Sequence, residues 1–182
     1  VNGKSGLALY TTFARENGNI YLGIYARSYV SHPITNLEIS LNKNSFGVSP
    51  VNSQINVSLS PNSSQTIKVP IEINNDRNDK QSPDCPFTIP TCIRCSLDSF
   101  IFNSPLLLNV LFSESGKMTN QSFVEYFKAN QTKETNIAYS NSNINSKFLS
   151  EDSLNKFFEK NNIFKVANNN KANPPLTYYS LL

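Results

Sequence analysis

From Leu7 to about Asn103 the chain reads as short β-branched and aromatic apolar runs punctuated by polar turn residues, the pattern of an antiparallel sandwich. Leu7-Ala-Leu-Tyr-Thr-Thr-Phe13 is a β-branched and aromatic run, broken by Glu16-Asn17-Gly18-Asn19. Ile20 to Tyr29 then resumes with apolar residues at alternate positions, which predicts a β-hairpin. Further strands are expected at Ile34 to Leu41, Ser45 to Val48, Ile55 to Leu59, Gln65 to Ile73, Ile89 to Leu97 and Phe100 to Asn103, separated by Asn-, Pro- and Ser-rich turns. About seven or eight short strands at this spacing predict an immunoglobulin-like β-sandwich. Asn74 to Pro90 is too polar and Pro-rich to pack and reads as a long surface loop.

After Phe112 the period changes. Thr119 is placed to cap a short amphipathic helix running to Lys128, with apolar Phe123, Val124 and Phe127 at i, i+1 and i+4. Ser150 to Lys160 predicts a second helix: Ser150 as N-cap, Glu151 and Asp152 where the helix dipole favours negative charge, Leu154, Phe157 and Phe158 buried on one side, and an end at Asn161-Asn162. Strands are expected at Ile163 to Ala167 and Thr177 to Leu182. The expected fold is therefore a sandwich over residues 1–112 followed by a smaller α+β unit over 113–182, with the boundary near Ser113 to Gly116. That second unit is small for an independent core, and its last strand runs to the final residue, so it is expected to be incomplete at its C-terminus.

Composition narrows the function. Apolar residues make up 38% and charged residues 16%, and the polar excess is carried by 27 Asn, some in runs such as Asn141 to Asn145 and Asn168 to Asn170. The 16 basic and 13 acidic residues are scattered singly, so the net charge of +3 makes no basic stripe and no nucleic-acid partner is expected. No run approaches the ~20 apolar residues of a membrane span, so any membrane association is expected to be indirect.

Cys85, Cys92 and Cys95 with the lone His32 have the ligand types of a Cys3His zinc site. One Cys-x-x-Cys without a second pair equally suits reduced thiols on a strand and its leading loop, and no metal or other cofactor is expected. The sequons at Asn56, Asn62, Asn120 and Asn130 are those expected by chance in so Asn- and Ser-rich a chain. With one His, no Trp, no Gly-rich phosphate loop and no Gly-x-Ser-x-Gly elbow, the chain does not read as an enzyme.

Three stretches resemble a known family. Asn42-Lys-Asn-Ser-Phe-Gly-Val48 is similar to the signature turn-and-strand of beta-adaptin ears. Pro105-Leu-Leu-Leu-Asn-Val-Leu-Phe112, followed by Glu114 and Gly116-Lys-Met118, resembles that family's passage from sandwich to platform. Asn161-Asn-Ile-Phe-Lys-Val-Ala167 with Tyr178-Tyr-Ser-Leu181 matches the later platform strands. The resemblance implies the C-terminal appendage of a clathrin-adaptor beta subunit, binding short linear motifs of clathrin and endocytic accessory proteins. It further implies attachment to other adaptor subunits through a trunk, on cytoplasmic coats of the trans-Golgi, endosome or plasma membrane. The coatomer gamma-subunit appendage shares this plan, and a secreted Ig-like adhesion module would use the sequons.

In the family, a platform groove takes a helical peptide presenting two hydrophobic anchors and a basic residue. Its first aromatic falls on Phe127, where the family commonly has Trp, and its tyrosine on Tyr178; its acidic residue aligns approximately with Glu134. Lys128 could meet acidic flanks of such a ligand or merely favour the helix dipole. The tyrosine of the family's sandwich side site aligns with Ile101, which offers no hydroxyl. From the residues alone, Phe127 could be core, Ile101 between Phe100 and Phe102 a buried strand residue, and either Tyr178 or Tyr179 the inward one.

Overall fold

The computed structural model describes residues 6–74, 87–130, 150–172 and 176–181, arranged in two compact units that divide between Leu111 and Phe112. In the first, β1 (Leu7–Glu16) and β2 (Asn19–Ser28) pair antiparallel in unbroken register. Their two-residue connection has φ of 51° at Asn17 and 81° at Gly18. Positive φ at both positions gives the turn a twist that matches the strands, and Asn-Gly reaches it with little strain.

Two four-stranded antiparallel sheets make a sandwich. One runs β1-β2-β6-β4, with β4 (Val48–Pro50) and β6 (Ser64–Ile73). The other runs β5-β3-β7-β8, with β3 (Leu37–Leu41), β5 (Gln54–Ile55), β7 (Thr88–Arg94) and β8 (Ser99–Pro105). Alternation along the strands sends Leu22, Ile24 and Val69 inward from one sheet and Ile39, Ile89 and Ile93 from the other, all buried. Each such side chain contributes roughly 1.5–3 kcal/mol by leaving water.

Polar groups also cross between the sheets. Thr11 Oγ1 lies 2.9 Å from Ser104 Oγ, which lies 2.8 Å from Thr91 Oγ1; Thr91 in turn donates to the Ile89 carbonyl at 2.9 Å. Thr91 and Ser104 are buried, and this chain of hydroxyls leaves neither without a partner.

Strand ends depart from the alternation pattern where the backbone turns. Asn36 has φ of 56°, so β3 begins at Leu37, and Ile34 meets Leu59 through a single bridge with two 2.9 Å hydrogen bonds. Ile55 to Leu59 is consequently no continuous strand. The expected strand at Ser45 to Val48 is instead a turn, with Gly47 at φ of 69° and β4 starting at Val48. Its cause is Asn44, buried and clamped to the loop. Nδ2 donates to the carbonyls of Asn42 and Val48 at 2.9 Å each, and Oδ1 accepts from the N–H groups of Phe46 and Val48 at 3.2 Å each. A 3-10 turn over Leu108–Leu111 ends this unit, with Val110 buried.

The second unit contains α1 (Asn120–Ala129), α2 (Glu151–Lys160), β9 (Phe164–Asn169) and β10 (Leu176–Ser180), the strands pairing antiparallel. Thr119 caps α1 by accepting from Ser122 N–H at 3.1 Å, and Ser150 caps α2 by accepting from Ser153 N–H at 3.2 Å. At the far end of α2, Asn162 takes φ of 58°; its N–H reaches the Glu159 carbonyl at 3.1 Å, and Ile163 N–H reaches Phe158 at 2.9 Å. This left-handed close satisfies the last carbonyls and turns the chain into β9. Ser180, buried, donates to the Gly116 carbonyl at 2.8 Å and holds the end of β10 to the start of the unit.

Candidate peptide-binding surface

Helix α1 carries its apolar residues on a stripe, yet none of them is fully buried. Phe123 is half-buried, Phe127 is 43% exposed, and Val124 and Tyr126 are exposed too. Phe127 is thus not core, because only the Phe123 side of the helix meets the strands. The i, i+4 spacing stacks Phe123 on Phe127, centroids 6.1 Å apart and planes 23° from parallel. On its other side Phe123 meets the ring of Tyr178 at 5.7 Å, tilted by 54°. Phe127 and Tyr178 are therefore brought into one aromatic row, with Phe123 as the middle member.

Strict alternation would send one of Tyr178 and Tyr179 inward and the other outward. A register shift between them instead pairs Tyr178 with Ala167 and Tyr179 with Lys165. This bulge leaves both tyrosines half-buried. Tyr178 faces α1 through Phe123, while Tyr179 packs edge-on against Phe158 of α2 at 4.9 Å and donates its hydroxyl to Asn155 Oδ1 at 3.2 Å. Beside the row, a cleft of about 170 Å³ is lined by Met118, Phe123, Tyr126, Tyr179, Ser180 and Leu181.

Most charged groups of this unit are exposed, while Lys165 is half-buried. Lys128 stands in the last turn of α1, where a cation suits the helix dipole. Lys165 holds the carboxylate of Glu151, which also accepts from Asn168 Nδ2 at 3.3 Å. These hydrogen bonds, Lys165 first, hold Glu151 below the usual glutamate pKa. Asp152 likewise raises the pKa of Lys156 through a 2.7 Å hydrogen bond. Phe157, expected among the buried residues of α2, is 46% exposed; the helix turns Leu154 and Phe158 inward and Phe157 past the edge of that stripe.

Of the remaining expected site residues, Glu134 lies outside the described residues. Ile101 belongs to the first unit, on the outward face of β8, and is 78% exposed, whereas its neighbour Phe100 is buried. The alternation that buries Phe100 is what exposes Ile101, so it is not a buried strand residue. Cys92 lies on the outward side of β7 and Cys95 is buried after its end, both as free thiols; His32 is exposed, and Cys85 lies outside the described residues. Among the described residues no His, Cys, Asp or Glu cluster is spaced to hold a metal, and no helix is long and apolar enough to cross a membrane. Phe123, which joins the two expected rings, is not among the residues that the family resemblance points to. Its i, i+4 relation to Phe127 was the available signal.

A β-sandwich followed by a small α+β unit agrees with the appendage plan that the sequence resemblance implies. The family model described as adaptin C-terminal domain matches residues 1–89, and that of the beta2-adaptin appendage C-terminal sub-domain matches residues 113–182. The chain belongs to the beta-adaptin appendage family. It is 29% identical over 180 residues to the AP-1 complex subunit beta-1 of Mus musculus, covering 97% of this chain and 18% of that protein. Identity to the Homo sapiens protein of the same name is 27% over 177 residues, with the same coverage. The chain thus spans less than a fifth of the length of these relatives.

Proposed function

We propose that this chain is the ear of a clathrin-adaptor beta subunit and collects short helical peptide motifs of clathrin and accessory proteins on its second unit. The observation that carries this reading is the row Phe127, Phe123 and Tyr178, apolar and partly open to solvent. A peptide helix can lay hydrophobic anchors along such a row, and Lys128 at its end suits a ligand with acidic flanks. Phe127 in place of the family's Trp keeps the apolar face but lacks an indole N–H, so anchoring rests on packing. The name of the relatives supports an adaptor complex of the AP-1 kind as the parent assembly. One small groove on a flexible peptide implies micromolar affinity, roughly −8 kcal/mol, with avidity in the coat supplying the rest.

Calorimetric or NMR titration with a helical Phe-x-x-Phe/Leu-x-x-x-Arg peptide tests the proposal. Saturable micromolar binding is expected, lost in both Phe127→Ala and Tyr178→Ala while circular dichroism stays unchanged. Absence of binding by the unmodified chain, or binding that survives both substitutions, would refute it.

A further inference from the structure

The outward face of the β1-β2-β6-β4 sheet carries a second set of rings. Tyr10 and Tyr25 are direct cross-strand partners, their centroids 6.1 Å apart, and they are 63% and 39% exposed. Tyr21 stands four residues away along β2 on the same face. Between Tyr21 and Tyr25 lies Gly23, flanked by Thr12 on β1 and Lys68 on β6. The centre of the face is therefore a shallow floor without a side chain, rimmed by tyrosines.

Nothing in the fold calls for glycine there. Its φ is not in the left-handed region, and the register runs unbroken through it to both neighbouring strands, so there is no bulge. A Cβ on Gly23 would meet Thr12 Cγ2 and the Thr12 carbonyl at 3.6 Å each, ordinary contact distances. A glycine inside a strand costs stability relative to alanine, and apart from bulges and bends it marks the close approach of something else.

Charge supplies the rest. Lys68 on this face is held by Glu16 at 2.6 Å, but Arg27, four residues beyond Gly23, has no carboxylate partner among the described residues. Its guanidinium rests 5.1 Å from the centroid of the Tyr29 ring. We propose that this sheet face is a second docking site, taking a short extended peptide whose aromatic ring lies on Gly23 between the tyrosines and whose carboxylate pairs with Arg27. Four residues of strand span about 13 Å, so ring and carboxylate stand four residues apart in the ligand. Stacking and the guanidinium–carboxylate bond provide the recognition. This site is on the first unit and does not depend on the row around Phe123.

The chain contains no Trp, so a ligand tryptophan reports its own binding. The probe is the capped peptide Ser-Gly-Trp-Ser-Gly-Ser-Asp-Ser-Gly, followed by fluorescence and by amide shifts of the ¹⁵N-labelled chain. Saturation below roughly millimolar is expected, with shifts centred on Thr12, Gly23 and Lys68. Replacing the peptide's Asp by Asn, or Arg27→Gln in the chain, weakens binding severalfold. Gly23→Ala fits the strand, so the thermal midpoint is expected to hold or rise while affinity falls at least roughly fivefold. No shift up to millimolar peptide overturns the proposal. So does unchanged affinity in Gly23→Ala, or a lowered midpoint that makes Gly23 a structural requirement. Concentration-dependent shifts of the same amides without peptide would assign the face to a second copy of the chain instead.

Discussion

The side-chain amide of Asn44 holds both backbone polar groups of Val48: Nδ2 donates to its carbonyl at 2.9 Å and Oδ1 accepts from its N–H at 3.2 Å. With the further bonds to Asn42 and Phe46, one buried side chain satisfies four backbone groups of the turn that leads into β4. The Asn-Lys-Asn-Ser-Phe-Gly stretch thereby has a structural role, delivering Val48 into β4. Asn44→Ala leaves these groups unpaired and is expected to cost about 2–3 kcal/mol in urea denaturation. Asn44→Asp turns the donor into a carboxylate facing two carbonyls, so it should destabilise at neutral pH and recover part of the loss on acidification.

Asn162 ends α2 in the left-handed conformation and donates from Nδ2 to the Phe112 carbonyl at 3.0 Å. Asn162→Ala meets both penalties and is expected to cost about 1–2 kcal/mol. Asn162→Gly removes only the side-chain bond, so it should retain most of the stability. Thermal melts of the two variants side by side separate backbone strain from the hydrogen bond.

Phe123 touches both Phe127 and Tyr178, which do not need to touch each other. Phe123→Leu keeps an apolar plug at this half-buried position and is expected to lower stability by less than about 1.5 kcal/mol. Binding of the helical peptide should nonetheless fall severalfold, because the ring that joins the row is gone. Equal loss in Phe123→Leu and Phe123→Ala would support the ring as the requirement; full binding by the Leu variant would argue against it.

Glu151 ties the start of α2 to β9 through Lys165 and Asn168, and its pKa is lowered by these bonds. A carboxylate whose folded pKa lies below its unfolded value contributes stability that is present above the unfolded value and lost as pH falls through the folded one. The stability difference between the native chain and Glu151→Gln should therefore be largest near neutrality and vanish in acid. NMR titration of the Glu151 side chain should return a pKa below that of an ordinary glutamate, moving up in Lys165→Met.

Local chemistry was legible in the residues themselves. The Asn17-Gly18 turn, the Thr119 and Ser150 caps and the Asn162 close each depend on a few adjacent positions, and they stand where the sequence puts them. Alternation likewise identified β1, β2, β6 and β8, since burial on one face imposes a period of two, but not the short strands β4 and β5, whose ends are set by turns. Facing and register were decided only by tertiary structure. Ile101 is exposed because Phe100 takes the inward face, and Phe157 is exposed because α2 meets the strands on the side of Leu154 and Phe158. Both tyrosines of β10 are half-buried because a bulge, set by pairing with β9, breaks the alternation between them. The middle place of Phe123 follows from the approach of β10 to α1, a contact between residues 55 positions apart that no local pattern encodes. What a residue prefers is written beside it, but which of its faces meets a neighbour depends on chain segments far away.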